Sequence, residues 1–91
     1  MNRFLVITLR NPEFPEDVVE PHFKFLKDLD SRNLIFLGGP FADRSGGAYV
    51  LNVNTIEEAK AIAYQDPVHL RGASTLHLYE WVTGEFLWTG I

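Results

Sequence analysis

The sequence predicts an α+β sandwich: one four-stranded antiparallel sheet with both helices on the same face. Two observations predict it. Short β-rich apolar segments and amphipathic segments follow one another in the order β-α-β-β-α-β, the split βαβ arrangement in which right-handed crossovers bring both helices to one side of the sheet. The central strands also carry apolar residues at both parities, so the sheet needs cover on its second face as well.

The elements read in order as follows. Arg3 to Leu9 (RFLVITL) is apolar on both parities and makes a central strand. Asn11-Pro12 breaks it, and Pro15 precedes a helix from Glu16 to about Asp30 whose inner stripe is Val18, His22, Phe25, Leu26 and Leu29. Glu16, Asp17 and Glu20 favour its N-terminal end. Pro21 fits best within a first turn, so the helix starts late or kinks. Leu34 to Leu37 is a second strand stopped by Gly38-Gly39-Pro40, and Phe41 to Gly47 is a connecting loop. Ala48 to Val53 is a third strand. Thr55 and Glu58 form a capping box that opens a helix through about Gln65, with Ile56, Ala59, Ile62 and Ala63 inward, Asp66 continuing that stripe and Pro67 stopping the helix. Ser74 to Trp81 alternates as a fourth strand, and 82–91 is an aromatic tail with Phe86, Leu87 and Trp88. One domain over 1–91 is expected, with the architecture called ferredoxin-like.

The second sheet face decides the assembly. Phe4 and Val6 oppose Leu5, Ile7 and Leu9, while Tyr49, Leu51 and Val53 oppose Ala48 and Val50. An exposed face that apolar is unusual for a monomer, so a homodimer packed sheet to sheet is expected, with His77 on the interface side and the tail as partial cover. Composition narrows the rest. The 91 residues carry 8 Lys plus Arg against 12 Asp plus Glu, and no cluster of positive charge that nucleic acid would require. Cysteine is absent, which excludes disulfides, thiol nucleophiles and thiolate metal sites. No apolar run reaches membrane-spanning length, and the first residues lack a signal-peptide cleavage pattern, so a soluble cytoplasmic protein is expected.

Two side chains break the apolar stripes in matching places. His22 lies near the beginning of the first helix and Asp66 at the end of the second. The helices run antiparallel, so both residues point toward the sheet at the same edge. Buried polar groups require partners. A carboxylate bonded to one imidazole nitrogen fixes the tautomer and leaves the other to move a proton. The same two residues also suit a plain structural role, as a hydrogen-bonded core histidine and a turn-forming aspartate before proline.

Several segments in order, Pro21-His22-Phe23, Gly38-Gly39-Pro40-Phe41, Asp43, Glu58-Ala59, Asp66-Pro67 followed by Gly72, and Trp81, resemble the YCII-related family. These are small ferredoxin-like proteins that pair as a dimeric α+β barrel. The resemblance implies an active-site His–Asp pair, carried here by His22 and Asp66. Related barrels include muconolactone isomerases, and some members are implicated in dehydrochlorination of a ring. The chain departs from the family pattern at Val19, where many members have Arg, at Asn33, where Gly is common, and at Val68, where an aromatic often follows Asp-Pro.

The expected activity is therefore cofactor-free acid–base chemistry, isomerase- or lyase-like, on a small organic compound. His22 is the base or acid and Asp66 its orienting partner. Ser45, Gly39 and Pro40 are candidate substrate contacts, though Ser45 reads more readily as a turn serine, and Gly39 and Pro40 as a strand end. His69 and His77 have no carboxylate at ligand spacing, so no metal is expected. Arg44 and Arg71 are solvated loop residues that could attract an acidic substrate. The alternatives are a non-catalytic dimeric module that binds a small ligand or partner around a structural His–Asp pair, and an oxygen-using enzyme of similar barrel fold.

Overall fold

In a computed structural model, residues 2–84 of the chain are described. Of the tail expected over 82–91, residues 85–91, and with them Phe86, Leu87 and Trp88, lie outside the described residues.

Strand β1 (Asn2–Arg10) pairs on one side with β3 (Gly46–Val53) and on the other with β4 (Ser74–Glu80). Strand β2 (Ile35–Pro40) pairs with β3, giving the order β2-β3-β1-β4 with every pairing antiparallel. Helix α1 (Val19–Ser31) follows β1, α2 (Ile56–Ala63) follows β3, and the short α3 (Pro67–Leu70) precedes β4. The fold is the ferredoxin-like α+β arrangement that the order of segments predicts.

From Arg3 to Thr8, strand β1 alternates between part-exposed and buried residues. Its register pairs Phe4 with Leu51 and Val6 with Tyr49, so these four share the helix side of the sheet. There they form one core with Leu29 of α1 and Ala59 and Ala63 of α2. The two alanines are fully buried, and their small side chains let the α2 backbone approach the sheet closely. A second cluster, Val18, Val68 and Ala73, packs with Phe14 and anchors α3 beside the start of α1.

The boundaries depart from the sequence reading in several places. The first helical segment splits into a 3-10 turn at Glu16–Val18 and α1 from Val19, which places Pro21 within the first turn, where its missing N–H leaves no helical bond unmade. Strand β2 continues through Gly38-Gly39 to Pro40 instead of stopping at Leu37; it is an edge strand, which tolerates a proline at its end. Helix α2 ends at Ala63, not near Gln65. Pro67, read as a stop, instead opens α3 from its first position.

The turns explain two unusual positions. Asn33 has φ 58° in the turn after α1, a left-handed conformation that glycine adopts freely and asparagine tolerates. Gly46 opens β3 at φ 156°, and a Cβ there would lie 1.8 Å from the Thr8 carbonyl oxygen. Gly46→Ala therefore cannot be accommodated without separating β1 from β3. It is expected to cost about 3 kcal/mol or more, read as a lower urea midpoint, and an unchanged midpoint would contradict this packing.

Candidate functional site

His22 is the fourth residue of α1, and Asp66 is the N-cap of α3. The sequence reading had Asp66 as a continuation of the α2 stripe. In the structure the chain has already left α2, and Asp66 turns inward as a cap, with its Oδ1 accepting from the Val68 N–H at 3.0 Å. The same oxygen lies 2.8 Å from His22 Nδ1. The other oxygen, Oδ2, accepts from the Tyr49 hydroxyl at 3.4 Å. Asp66 is fully buried, whereas the His22 side chain is 17% exposed.

This arrangement sets the roles of the two imidazole nitrogens. A carboxylate only accepts, so Nδ1 is the donor to Asp66, and Nε2 is left as the nitrogen able to take or return a proton. Tyr49 holds the far side of the carboxylate. Burial, followed by the Asp66 charge and the hydrogen bond to it, pushes the Tyr49 phenol well above the usual tyrosine range. Tyr49 therefore remains a donor throughout the working pH range. Among the described residues, no buried side-chain nitrogen or oxygen lacks a partner.

The raised Tyr49 group has a consequence for stability. The folded state favours the neutral phenol, so its contribution is fully present below the ordinary tyrosine pKa of about 10 and is lost as pH rises above that value. Urea midpoints measured from about pH 8 to 11 are expected to fall less steeply in Tyr49→Phe than in the unaltered chain. Equal slopes would remove Tyr49 from the buried network.

His22 lines a cleft of about 80 Å³ between the start of α1 and the end of the sheet. Val19, Phe23 and Leu26 form its helical wall, and Thr8, Tyr49 and Ser74 contribute from the strands. That volume holds several waters. Gly39 and Pro40 also line it. Ser45 is not among the lining residues; its N–H donates to Asp43 Oδ1 at 2.9 Å and its carbonyl accepts from the Arg10 N–H at 2.9 Å. Hydrogen bonding from the Ser45 side chain, then from its backbone N–H, holds the Asp43 carboxyl below the usual carboxylate range.

The two arginines singled out in loops lie elsewhere. Arg71 pairs with Asp17 at 2.8 Å, and Arg44 occupies a turn at φ 65°. Arg10 lines the cleft instead, and sequence reasoning missed it because the first strand was read only to Leu9. The period-2 pattern carries the signal: Arg10 has the parity of Phe4, Val6 and Thr8. In the sequence Tyr49 reads as one of the apolar-patterned residues of the third strand, and its bond to Asp66 carries no sequence signal. Among the described residues, no group of three or more His, Cys, Asp or Glu could hold a metal ion.

Comparison with known proteins agrees with this architecture. The YCII-related domain matches residues 3–82. The uncharacterised protein YjpA of Bacillus subtilis (strain 168) is 37% identical over 81 residues, spanning 89% of this chain and 95% of YjpA. Among solved structures, the 5-chloro-2-hydroxyhydroquinone dehydrochlorinase TftG from Burkholderia phenoliruptrix AC1100, in complex with 2,5-dihydroxybenzoquinone, superposes with a TM-score of 0.74. That match covers 90% of this chain and 95% of TftG at 19% identity, a likeness of fold.

Proposed function

The chain belongs to the YCII-related family, and from that premise and the cleft geometry we propose that it is an acid–base enzyme acting on a small organic compound. The observation that carries this reading is the 2.8 Å bond between His22 Nδ1 and a fully buried carboxylate, with His22 on the wall of a cleft. A histidine held in one tautomer with its second nitrogen free is equipped for proton transfer. In an elimination, Nε2 takes a proton from a ring carbon or hydroxyl. The freed electron pair forms a double bond, and the leaving group departs with its own pair. In an isomerisation, the same nitrogen returns the proton at a second carbon. Asp66 stabilises the imidazolium formed in between. TftG supports the elimination form, since its fold accommodates dehydrochlorination of a six-membered ring.

The homodimer belongs to the same proposal. The sheet face away from the helices carries the part-exposed Leu5 and Ile7, with Leu37 and Tyr79 more than half exposed. A second copy packed on this face would cover them. The unaltered protein is expected to sediment as a dimer at micromolar concentration and Ile7→Glu as a folded monomer; a stable unaltered monomer would refute the pairing. No described helix is long and apolar enough to cross a membrane.

The catalytic reading is tested by incubating the protein in deuterium oxide with cyclic ketones and chlorinated hydroquinones. Deuterium uptake is followed by NMR and chloride release by electrode. Uptake or release that disappears in His22→Ala supports it. Rates equal to the His22→Ala background across both classes favour the second reading, a dimeric ligand-binding module. The observation behind that second reading is the service Asp66 already gives the fold as a helix cap.

A further inference from the structure

We propose that the cleft takes an anionic ligand, a carboxylate or an acidic enol, and that Arg10 binds its negative oxygens beside His22. The proposal rests on the reading of the cleft as a small-molecule site and goes beyond it by assigning the charge of the ligand and the residue that selects it.

The argument starts from the position of Arg10. It ends β1 on the helix side of the sheet, opposite Ser74, and lines the same cleft as His22. Its guanidinium carbon lies 4.1 Å from the centroid of the Phe14 ring, and this contact holds it at the cleft wall. Its only described carboxylate neighbour is Glu16, with Oε1 at 3.9 Å, beyond hydrogen-bond distance, on a side chain 82% exposed. An exposed pair of that length contributes little. The guanidinium makes no hydrogen bond to the other described residues, and its own side chain is only 32% exposed. A fork of N–H donors is thus left available in a partly desolvated place.

The rest of the wall agrees in sign. Among the described residues, no aspartate or glutamate lines the cleft; Asp66 is fully buried and paired with His22. Arg10 is the one permanently charged side chain among the described lining residues, against a net charge of −4 for the whole chain. The preference for anions is therefore local to this cleft. A planar carboxylate or enolate matches the guanidinium fork in two parallel bonds, whereas a neutral ligand leaves the fork unused and a cation is repelled.

The test uses three probes of one shape: benzoate, benzamide and benzamidine. Each is titrated into the intact protein while the imidazole signals of His22 are followed by proton–nitrogen NMR. Benzoate is expected to bind most tightly of the three, to shift the His22 signals and to weaken with added salt. Arg10→Gln should weaken benzoate about tenfold or more and leave benzamide unchanged, with Arg10→Lys intermediate. Arg10→Lys also provides the test if the glutamine variant does not fold. Benzamide binding as tightly as benzoate would overturn the proposal. So would benzoate binding that neither variant alters, that leaves the His22 signals unmoved, or that is absent at tens of millimolar. These readouts record binding alone. Anion-selective binding in a protein without turnover would defeat the acid–base reading and leave this one standing, and turnover without anion preference would do the reverse.

Discussion

Asp66→Ala is expected to be the most destabilising change at the site, lowering stability by about 2–4 kcal/mol. Its carboxylate is fully buried and has three partners: the Val68 N–H, His22 Nδ1 and the Tyr49 hydroxyl. Alanine removes the helix cap, worth about 1 kcal/mol, and leaves a buried hydroxyl without its acceptor, at a cost of about 1–3 kcal/mol. In a domain of this size the melting temperature should fall by about 10–25 °C. Asp66→Asn separates the contributions. Its amide oxygen can still cap Val68 and its NH₂ can face the Tyr49 oxygen, so most of the stability should remain while the charge is lost. Calorimetry on the two variants checks both statements. An Asp66→Ala melting temperature within about 2 °C of the unaltered chain would show that the network does not hold the fold.

His22→Ala is expected to give the largest change in rate, a loss of about 10²–10⁴ in turnover, the range that general acid–base groups supply. The fold should survive. The His22 side chain reaches the cleft, so water can enter after truncation and donate to Asp66 Oδ1 in its place. The stability cost is about 1 kcal/mol, clearly below that of Asp66→Ala. The combination is diagnostic: lost turnover with a near-normal melting temperature identifies a reacting histidine. Retained turnover, or a collapse matching that of Asp66→Ala, would identify a core residue. The decisive test therefore falls on the histidine, because Asp66 carries structural duties whatever the chemistry.

Much of the fold was legible because its signals are periodic. Parity sets Phe4 and Val6 on one face of β1 and Tyr49 and Leu51 on one face of β3, and the register brings the two pairs to the same side. The Thr55 cap was legible from spacing, and its hydroxyl accepts the Glu58 N–H at 3.1 Å. What failed was punctuation. Glycine and proline read as stops at Gly38-Gly39-Pro40 and at Pro67. An edge strand accommodates the first, and Asp66 converts the second into a helix start. The convergence of His22 and Asp66 was legible from antiparallel helix order, but the local geometry that delivers Asp66 is a cap and not a helical stripe. Arg10 escaped because one residue separates the strand as read from the strand as formed. The Tyr49–Asp66 bond joins residues 17 apart and depends on tertiary packing alone.

The double duty of Asp66 bears on how such a site can change over evolutionary time. An aspartate that caps a helix and satisfies a buried tyrosine is held in place by folding alone, so a lineage that abandons the reaction would still keep it. His22, at the rim of the cleft, carries no comparable structural burden. It would drift freely once turnover ceased to matter. Among descendants of this fold, a retained aspartate is thus a record of architecture, and the residue at the histidine position is the record of chemistry.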